Sequence, residues 1–146
     1  MNHSPAQDAP DDAAPVAVAT VLVIDDDRRF SEELVEMLAV AGFTAVTCLA
    51  AMDALVTARR VHPDVILLDI NLGGVDGYQV MELLRRDEHL ARVPVIAMSA
   101  YFERRPYDAI GKHYQIHSFM SKPFQPLEMI AKIRQALVEP PRVASK

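Results

Sequence analysis

The sequence predicts an α/β domain in which five parallel strands form one doubly wound sheet with helices on both faces. Short runs of apolar, mostly β-branched residues recur along the chain, and segments with helical periodicity separate them. Because parallel neighbours need a crossover connection, this alternation indicates a parallel sheet. With 146 residues, of which 51% are hydrophobic, the chain can fill one core of this kind.

The first half of the domain is predicted to contain two strand and helix units. The run VLVI predicts a strand buried on both faces, and Asp27 is placed to cap a helix that Gly42 ends. The second strand is predicted at Thr44–Cys48 and the second helix at residues 52–61. The inward residues of the two helices are predicted to be Phe30, Leu34, Met37, Leu38 and Ala41, then Ala54, Leu55 and Ala58.

The second half adds three strands and three helices. An apolar strand at residues 65–68 ends at Asp69, and the helix beyond its loop is predicted at Gly77–Arg86. Pro106 makes the fourth helix short, late-starting or irregular. The remaining elements are a strand at residues 93–98, a short strand at Phe119 and Met120, and a helix at Pro126–Val138 with Leu127, Ile130, Ile133 and Leu137 inward.

Composition separates the two ends of the chain from this domain. Residues 1–17 interleave proline and alanine with aspartate, which predicts a disordered tail because such a segment has little to bury. The domain itself is predicted at residues 18–138, with a short C-terminal tail at residues 139–146 and no effector domain after it.

Charge and hydropathy exclude several classes of function. The net charge is −5 and no run of basic residues exceeds a doublet, so we expect no direct binding of nucleic acid. No apolar run approaches the roughly 18 residues of a membrane span. The acidic start of the chain lacks the features of a secretion signal, so a cytoplasmic protein without membrane insertion is expected.

Cysteine and arginine are expected to have structural roles. Cys48 is the single cysteine and is expected to be a small buried residue. The doublets 59–60 and 85–86 fall at helix C-termini, where cations complement the helix dipole. We therefore expect these arginines to need no partner.

The residues that end the predicted strands carry the chemistry. Asp25 and Asp26 follow the first strand, Asp69 ends the third, Ser99 follows the fourth and Lys122 follows the fifth. Ligands of open α/β sheets bind at the carboxyl ends of the strands, so these side chains are predicted to share one edge. Converging carboxylates repel each other, and a hard divalent cation such as Mg²⁺ relieves the repulsion.

A carboxylate beside such a cation can act as a nucleophile toward phosphorus. The cation, the Lys122 ammonium and the Ser99 hydroxyl can stabilise the charge on the oxygens of a phosphoryl group in transfer.

These residues, in this order, resemble the receiver domain of bacterial two-component response regulators. The resemblance covers about residues 18–138 and rests on VLVIDDD, VILLDINLGGVDG, VIAMSA and FMSKPF. It implies a flavodoxin-like sheet of strand order 2-1-3-4-5. It also implies that Mg²⁺ assists the transfer of a phosphoryl group from a sensor histidine kinase or a histidine phosphotransfer protein.

The resemblance also assigns a role to each matching residue. Asp69 would be the phosphoacceptor, and Ser99 and Lys122 would hold the phosphoryl oxygens. Phe119 would turn inward when Ser99 moves toward the phosphate. Mg²⁺ would be held by Asp25, Asp26, Asp69 and the backbone carbonyl of Asn71, with Asp26 as a direct ligand. Asn71 and Tyr101 would flank the path of the hydrolytic water, and the Tyr101 ring predicts slow self-dephosphorylation.

By the same resemblance, the chain would be a signalling domain that assists its own phosphorylation and slow dephosphorylation. The face of the fourth helix, fifth strand and fifth helix would contact a downstream protein effector or form a homodimer; onward phosphotransfer is another route for output. The chain departs from the family pattern at Leu72, Gly73 and Gln115–Ile116. Gly73 replaces a frequent proline, which predicts a mobile loop after Asp69.

Other functions remain open at this point. A receiver fold can serve as an interaction module without phosphorylation. A phosphatase of the haloacid dehalogenase type would use the DxD pattern of residues 25–27 but would leave Asp69 unexplained. A flavodoxin is disfavoured because the first loop is acidic. His113 and His117 have the spacing of metal ligands on a helix, but no third ligand is evident.

Overall fold

A computed structural model describes residues 18–100 and 107–139, with only the backbone of residues 107–110. The predicted tail at 1–17, most of the predicted tail at 139–146, Tyr101 and Pro106 lie outside the described residues. The five main strands are β1 Thr20–Ile24, β2 Thr44–Cys48, β3 Val65–Asp69, β4 Val95–Ser99 and β5 Ser118–Ser121. All four pairings are parallel and the order is β2-β1-β3-β4-β5, which confirms the predicted fold and strand order.

Within the described residues, five helices connect or follow these strands: α1 Arg28–Val40, α2 Ala54–Val61, α3 Gly77–Arg86, α4 Tyr107–Tyr114 and α5 Pro126–Val138. The ends of α1 follow the predicted signals. The Asp27 carboxylate accepts from the Phe30 amide at 3.0 Å, and Gly42 leaves the helix with a φ of +95°. Among the described helices, none is long and apolar enough to cross a membrane.

The sheet separates two apolar clusters because alternate residues of each strand face opposite sides. Val21 and Val23 of β1 face the side that α1 and α5 cover, whereas Leu22 and Ile24 face the side that α2 and α3 cover. All five residues of β3 and of β4 are buried, as expected for the inner strands of a doubly covered parallel sheet. Cys48 is 5% exposed, which confirms its predicted burial.

The predicted inward face of α5 was partly wrong. Leu127 is 79% exposed and Leu137 is 37% exposed. The helix buries Ile133, as predicted, together with Met129 and Ala136, and the predicted Ile130 packs partly against the same core. Apolar residues on α5 form two overlapping stripes with helical spacing, so periodicity alone does not select the one that docks on the sheet.

Two predicted boundaries shift for local reasons. Residues 51–53 form a 3₁₀ turn in which Met52 is exposed, so α2 begins at Ala54 and not at Met52. Strand β4 begins at Val95, two residues later than predicted. Pro94 has no amide hydrogen and contributes only its carbonyl oxygen, which accepts from the Ile66 amide at 3.0 Å.

The expectation that the arginine doublets need no partner was wrong for Arg59 and Arg85, and Arg86 also forms an exposed ion pair with Glu82 at 3.5 Å. Arg59 donates to the buried carboxylate of Asp87, which follows α3. Arg85 donates to five backbone carbonyl oxygens, those of Leu90, Ala91, Val93, Tyr114 and Gln115. These bonds join the α3–β4 loop to the end of α4.

Candidate functional site

The carboxyl ends of β1, β3, β4 and β5 bring the predicted site residues to one edge of the sheet. Asp25 follows β1 and is fully buried, and Asp69 ends β3 and is 6% exposed. Ser99, at the end of β4, is also buried. An open cleft of about 480 Å³ at this edge is lined by Asp25, Asp26, Asp27, Asp69, Asn71, Gly73, Gly74, Ala100 and Lys122.

Three carboxylates converge in the cleft. One oxygen from each of Asp25, Asp26 and Asp69 lies within 4.8 Å of the others. Asp26 is exposed, whereas the other two carboxylates are buried. Closely placed carboxylates of this kind suit a hard divalent cation that also keeps water ligands.

Lys122 lies between the two buried carboxylates. Its Nζ donates to Asp25 Oδ2 at 2.6 Å and to Asp69 Oδ2 at 2.9 Å. Burial opposes the charge of this ammonium, but its bonds to Asp25 and Asp69 outweigh burial and raise the pKa of Lys122. Burial also raises the pKa of Asp25, although Lys122 and the Asp27 amide oppose that shift. The ammonium therefore remains charged at neutral pH and offsets part of the repulsion.

Backbone amides fix the other oxygen of each buried carboxylate. The Asp27 amide donates to Asp25 Oδ1 at 2.9 Å, and the Asn71 amide donates to Asp69 Oδ1 at 2.9 Å. Each carboxylate therefore accepts one amide and one ammonium bond. A carboxylate has about four acceptor positions, so both retain capacity for a further ligand.

The loop after Asp69 forms a tight hairpin. Residues Asn71–Leu72 pair antiparallel with Val75–Asp76. Gly73 and Gly74 join the two pairs with φ values of +57° and +90°, as in a type I′ turn. Proline, whose φ is locked near −65°, cannot occupy position 73 of this turn. The departure from the family pattern at Gly73 thus has a defined structural cause.

Ser99 and Phe119 lie on the last two strands, and Ser99 directly precedes Ala100 of the cleft lining. The Ser99 carbonyl oxygen accepts from the Lys122 amide at 2.9 Å, so the two residues share one backbone link. Phe119 is half-buried on β5, and a β-carbon added at Gly111 of α4 would lie 3.3 Å from its ring. The predicted role of Tyr101 concerns a residue outside the described part of the chain.

Sequence reasoning missed an aromatic residue beside the site. The Lys122 Nζ lies 4.2 Å from the centroid of the Phe30 ring. Helical spacing identified Phe30 only as a core residue of α1, and no sequence signal indicates that Lys122 would meet it. Their contact depends on how the β5–α5 loop returns over α1.

The histidine pair does not share a helix face. His113 lies on α4 and is exposed, whereas His117 is buried beyond the helix end. Gln115, with a φ of +58°, interrupts the helix between them. No candidate metal cluster within the described residues includes a histidine.

Comparison with known proteins identifies a protein family that covers most of the chain. A family model described as the response regulator receiver domain matches residues 21–134. The DNA-binding dual master transcriptional regulator RpaA of Synechocystis is 33% identical over 84% of this chain and 51% of its own length. The chain thus spans about half the length of that relative.

Solved structures share the same fold. Vibrio cholerae chemotaxis protein CheY4 has a TM-score of 0.77 and 23% identity, covering 83% of this chain and 100% of its own. The receiver domain of Pseudomonas aeruginosa sensor histidine kinase PA1611, described with a magnesium ion coordinated in its active site cleft, has a TM-score of 0.74 and 24% identity. It covers 84% of this chain and 100% of its own.

Proposed function

Because the chain belongs to the response regulator receiver domain family, whose members signal in two-component systems, we propose that Asp69 accepts a phosphoryl group from a phosphohistidine. One observation carries the proposal. The Lys122 ammonium bridges the carboxylates of Asp25 and Asp69, and all three residues line an open cleft. This arrangement brings the proposed nucleophile Asp69 next to the Lys122 ammonium and next to Asp25, which we propose as a metal ligand.

The residues in the cleft fit a divalent cation. Asp25, Asp26 and Asp69 supply hard oxygen donors, and the backbone carbonyl of Asn71 completes the proposed set. Bound Mg²⁺ would supply charge neutralisation to the phosphoryl oxygens. The magnesium ion described in the cleft of the PA1611 receiver domain supports this assignment.

The chain's own residues supply the nucleophile and its orientation. An Asp69 carboxylate oxygen attacks phosphorus, an O–P bond forms and the P–N bond of the phosphohistidine breaks. The departing imidazole nitrogen keeps the electron pair of that bond. The Asn71 amide and Lys122 hold the carboxylate in one orientation, which lowers the entropic cost of the transfer.

Ser99, Lys122 and Phe119 would respond to the transferred group. The Ser99 hydroxyl and the Lys122 ammonium hold phosphoryl oxygens, and Phe119 repacks when Ser99 moves. Phe119 lies under Gly111 of α4, so a change in its packing alters the face of α4, β5 and α5. That face would transmit output to a protein effector or a second copy of the chain; onward phosphotransfer is the other route.

Labelling with a small acyl phosphate tests the proposal. The protein is incubated with the donor and Mg²⁺, and intact mass is followed over time. We expect one phosphoryl group on the native protein and none on Asp69→Asn or after chelation of the metal. Asp53→Asn, at the exposed N-cap residue of α2 whose side chain makes no capping hydrogen bond, is the matched control. Labelling of Asp69→Asn at the native rate would refute the assignment.

The same samples separate the alternative functions. A phosphatase would turn over a phosphomonoester and would not stop at stoichiometric labelling. An interaction module that works without phosphorylation would neither accept the group nor bind Mg²⁺. Metal binding is measured independently as a rise in unfolding temperature with Mg²⁺, which we expect Asp26→Asn to abolish.

A further inference from the structure

The Lys122 ammonium lies over an aromatic ring as well as between two carboxylates. Its Nζ is 4.2 Å from the centroid of Phe30, within the range of a cation–π contact. The Lys122 side chain is 19% exposed. Water therefore screens this attraction less than it would at an open surface, where such contacts are weakest.

The Phe30 ring is held in place by its neighbours. Phe124 meets it edge-on, with ring centroids 5.9 Å apart and an interplanar angle of 80°. Both rings pack against the core under α1 and α5. The backbone amide of Phe30 is also tied to the Asp27 cap. These contacts restrain the ring, so the flexible lysine side chain packs against a surface of defined position.

A ring face suits the position beside this ammonium. Lysine has three N–H donors, and Asp25 and Asp69 accept two of the resulting bonds. An additional carboxylate would compete with Asp69 for the ammonium. The ring attracts the cation through its negative face and leaves those donors directed at the carboxylates.

We propose that Phe30 is a positioning residue for Lys122, holding the ammonium between Asp25 and Asp69 where the phosphoryl group arrives. This inference rests on the proposed function, since it assigns Phe30 a role in phosphorylation of Asp69. Phe30 acts through Lys122 and touches no reacting atom. A purely structural role would depend on the shape of the ring, whereas this role depends on its electron density.

Stepwise fluorination of Phe30 distinguishes the two roles. Fluorine withdraws electrons from the ring face with little change in size, so packing is largely kept while the cation–π attraction falls. At saturating acyl phosphate, we expect the rate of Asp69 labelling to fall with each added fluorine, by roughly 2- to 5-fold over the series. Phe30→Tyr should keep most of the native labelling rate. Phe30→Leu should lower the labelling rate as much as the most fluorinated ring does.

Phe43 provides the matched control. It packs against the same core and is half-buried like Phe30. The same fluorinated residues at Phe43 should leave the labelling rate unchanged. Equal rates across the Phe30 series would overturn the proposal, as would a loss of rate at Phe43 that equals the loss at Phe30.

NMR provides a readout that does not depend on phosphorylation. Protons on the Lys122 ε-carbon should show a ring-current shift that decreases along the Phe30 series as the ammonium leaves the ring. If the native protein takes no phosphoryl group but this shift follows fluorination, the proposed function fails while the positioning of Lys122 by Phe30 stands. A shift that ignores fluorination rejects the positioning itself.

Discussion

Gly77 packs so closely against the end of β3 that a β-carbon there would lie 2.6 Å from the carbonyl oxygen of Asp69. The same β-carbon would lie 2.6 Å from Ile70 Cα. The Gly77 amide also donates to the Ile70 carbonyl oxygen at 2.6 Å. The start of α3 therefore packs directly on the backbone of the proposed phosphoacceptor. Only a residue without a side chain fits at position 77.

Gly77→Ala should destabilise the protein and slow phosphorylation. Alanine normally favours a helix over glycine, but here both clashing groups are backbone and cannot turn aside. We expect a loss of about 1–3 kcal/mol, typical of overpacking, together with slower labelling of Asp69. Urea unfolding and intact mass measure the two effects. Gln79→Ala, at an exposed position on α3, should change neither, and a Gly77→Ala protein as stable as the native one would contradict the argument.

Arg85→Lys should be strongly destabilising although the substitution keeps the positive charge. The guanidinium donates to five carbonyl oxygens, and burial lowers the pKa of Arg85 to about 10, so it stays charged at neutral pH. A lysine has a single nitrogen and would leave several carbonyls unpaired, for a loss of roughly 2–4 kcal/mol. Denaturant unfolding measures this loss of stability. Arg86→Lys is the control, since Arg86 is 79% exposed and should change stability by less than about 0.5 kcal/mol.

Asp87→Asn should weaken the protein at neutral pH and reduce its sensitivity to acid. The bond from Arg59, helped by the His89 amide, holds the pKa of Asp87 below its ordinary value. A carboxyl with a lowered folded-state pKa adds stability above its unfolded pKa of about 3.9 and loses it as pH falls through the folded value. Unfolding of native and variant protein should therefore converge in acid. Glu88→Gln, at the adjacent exposed position, should show no such convergence.

Tyr101→Ala should accelerate loss of the phosphoryl group. This expectation comes from sequence position alone, because Tyr101 lies outside the described residues. A bulky ring beside the acyl phosphate would obstruct in-line attack by water, and its removal should shorten the lifetime of the phosphorylated form. The decay of intact mass after removal of the donor measures that lifetime. An unchanged decay in Tyr101→Ala would reject the prediction.

The order of the elements and the residues at the strand ends could be predicted from the sequence. β1 and β3 each contain a run of four consecutive apolar residues, and the bounds of α3 and α5 coincide with the predicted ones. In a parallel sheet, the carboxyl ends of all the strands lie at the same edge. Asp25, Asp69 and Lys122 each lie at or just after the end of a predicted strand. We could therefore expect them to meet, although 97 positions separate Asp25 from Lys122.

Contacts that depend on how separate elements dock could not be predicted this way. The buried stripe of α5, the carbonyl partners of Arg85 and the ring beside Lys122 each depend on the rotation of a helix or the path of a loop. Two apolar stripes on α5 satisfy the same spacing, and only packing against β3 and its neighbours selects Met129, Ile133 and Ala136. Sequence periodicity specifies which residues can share a face; burial against a particular partner selects the face that is used.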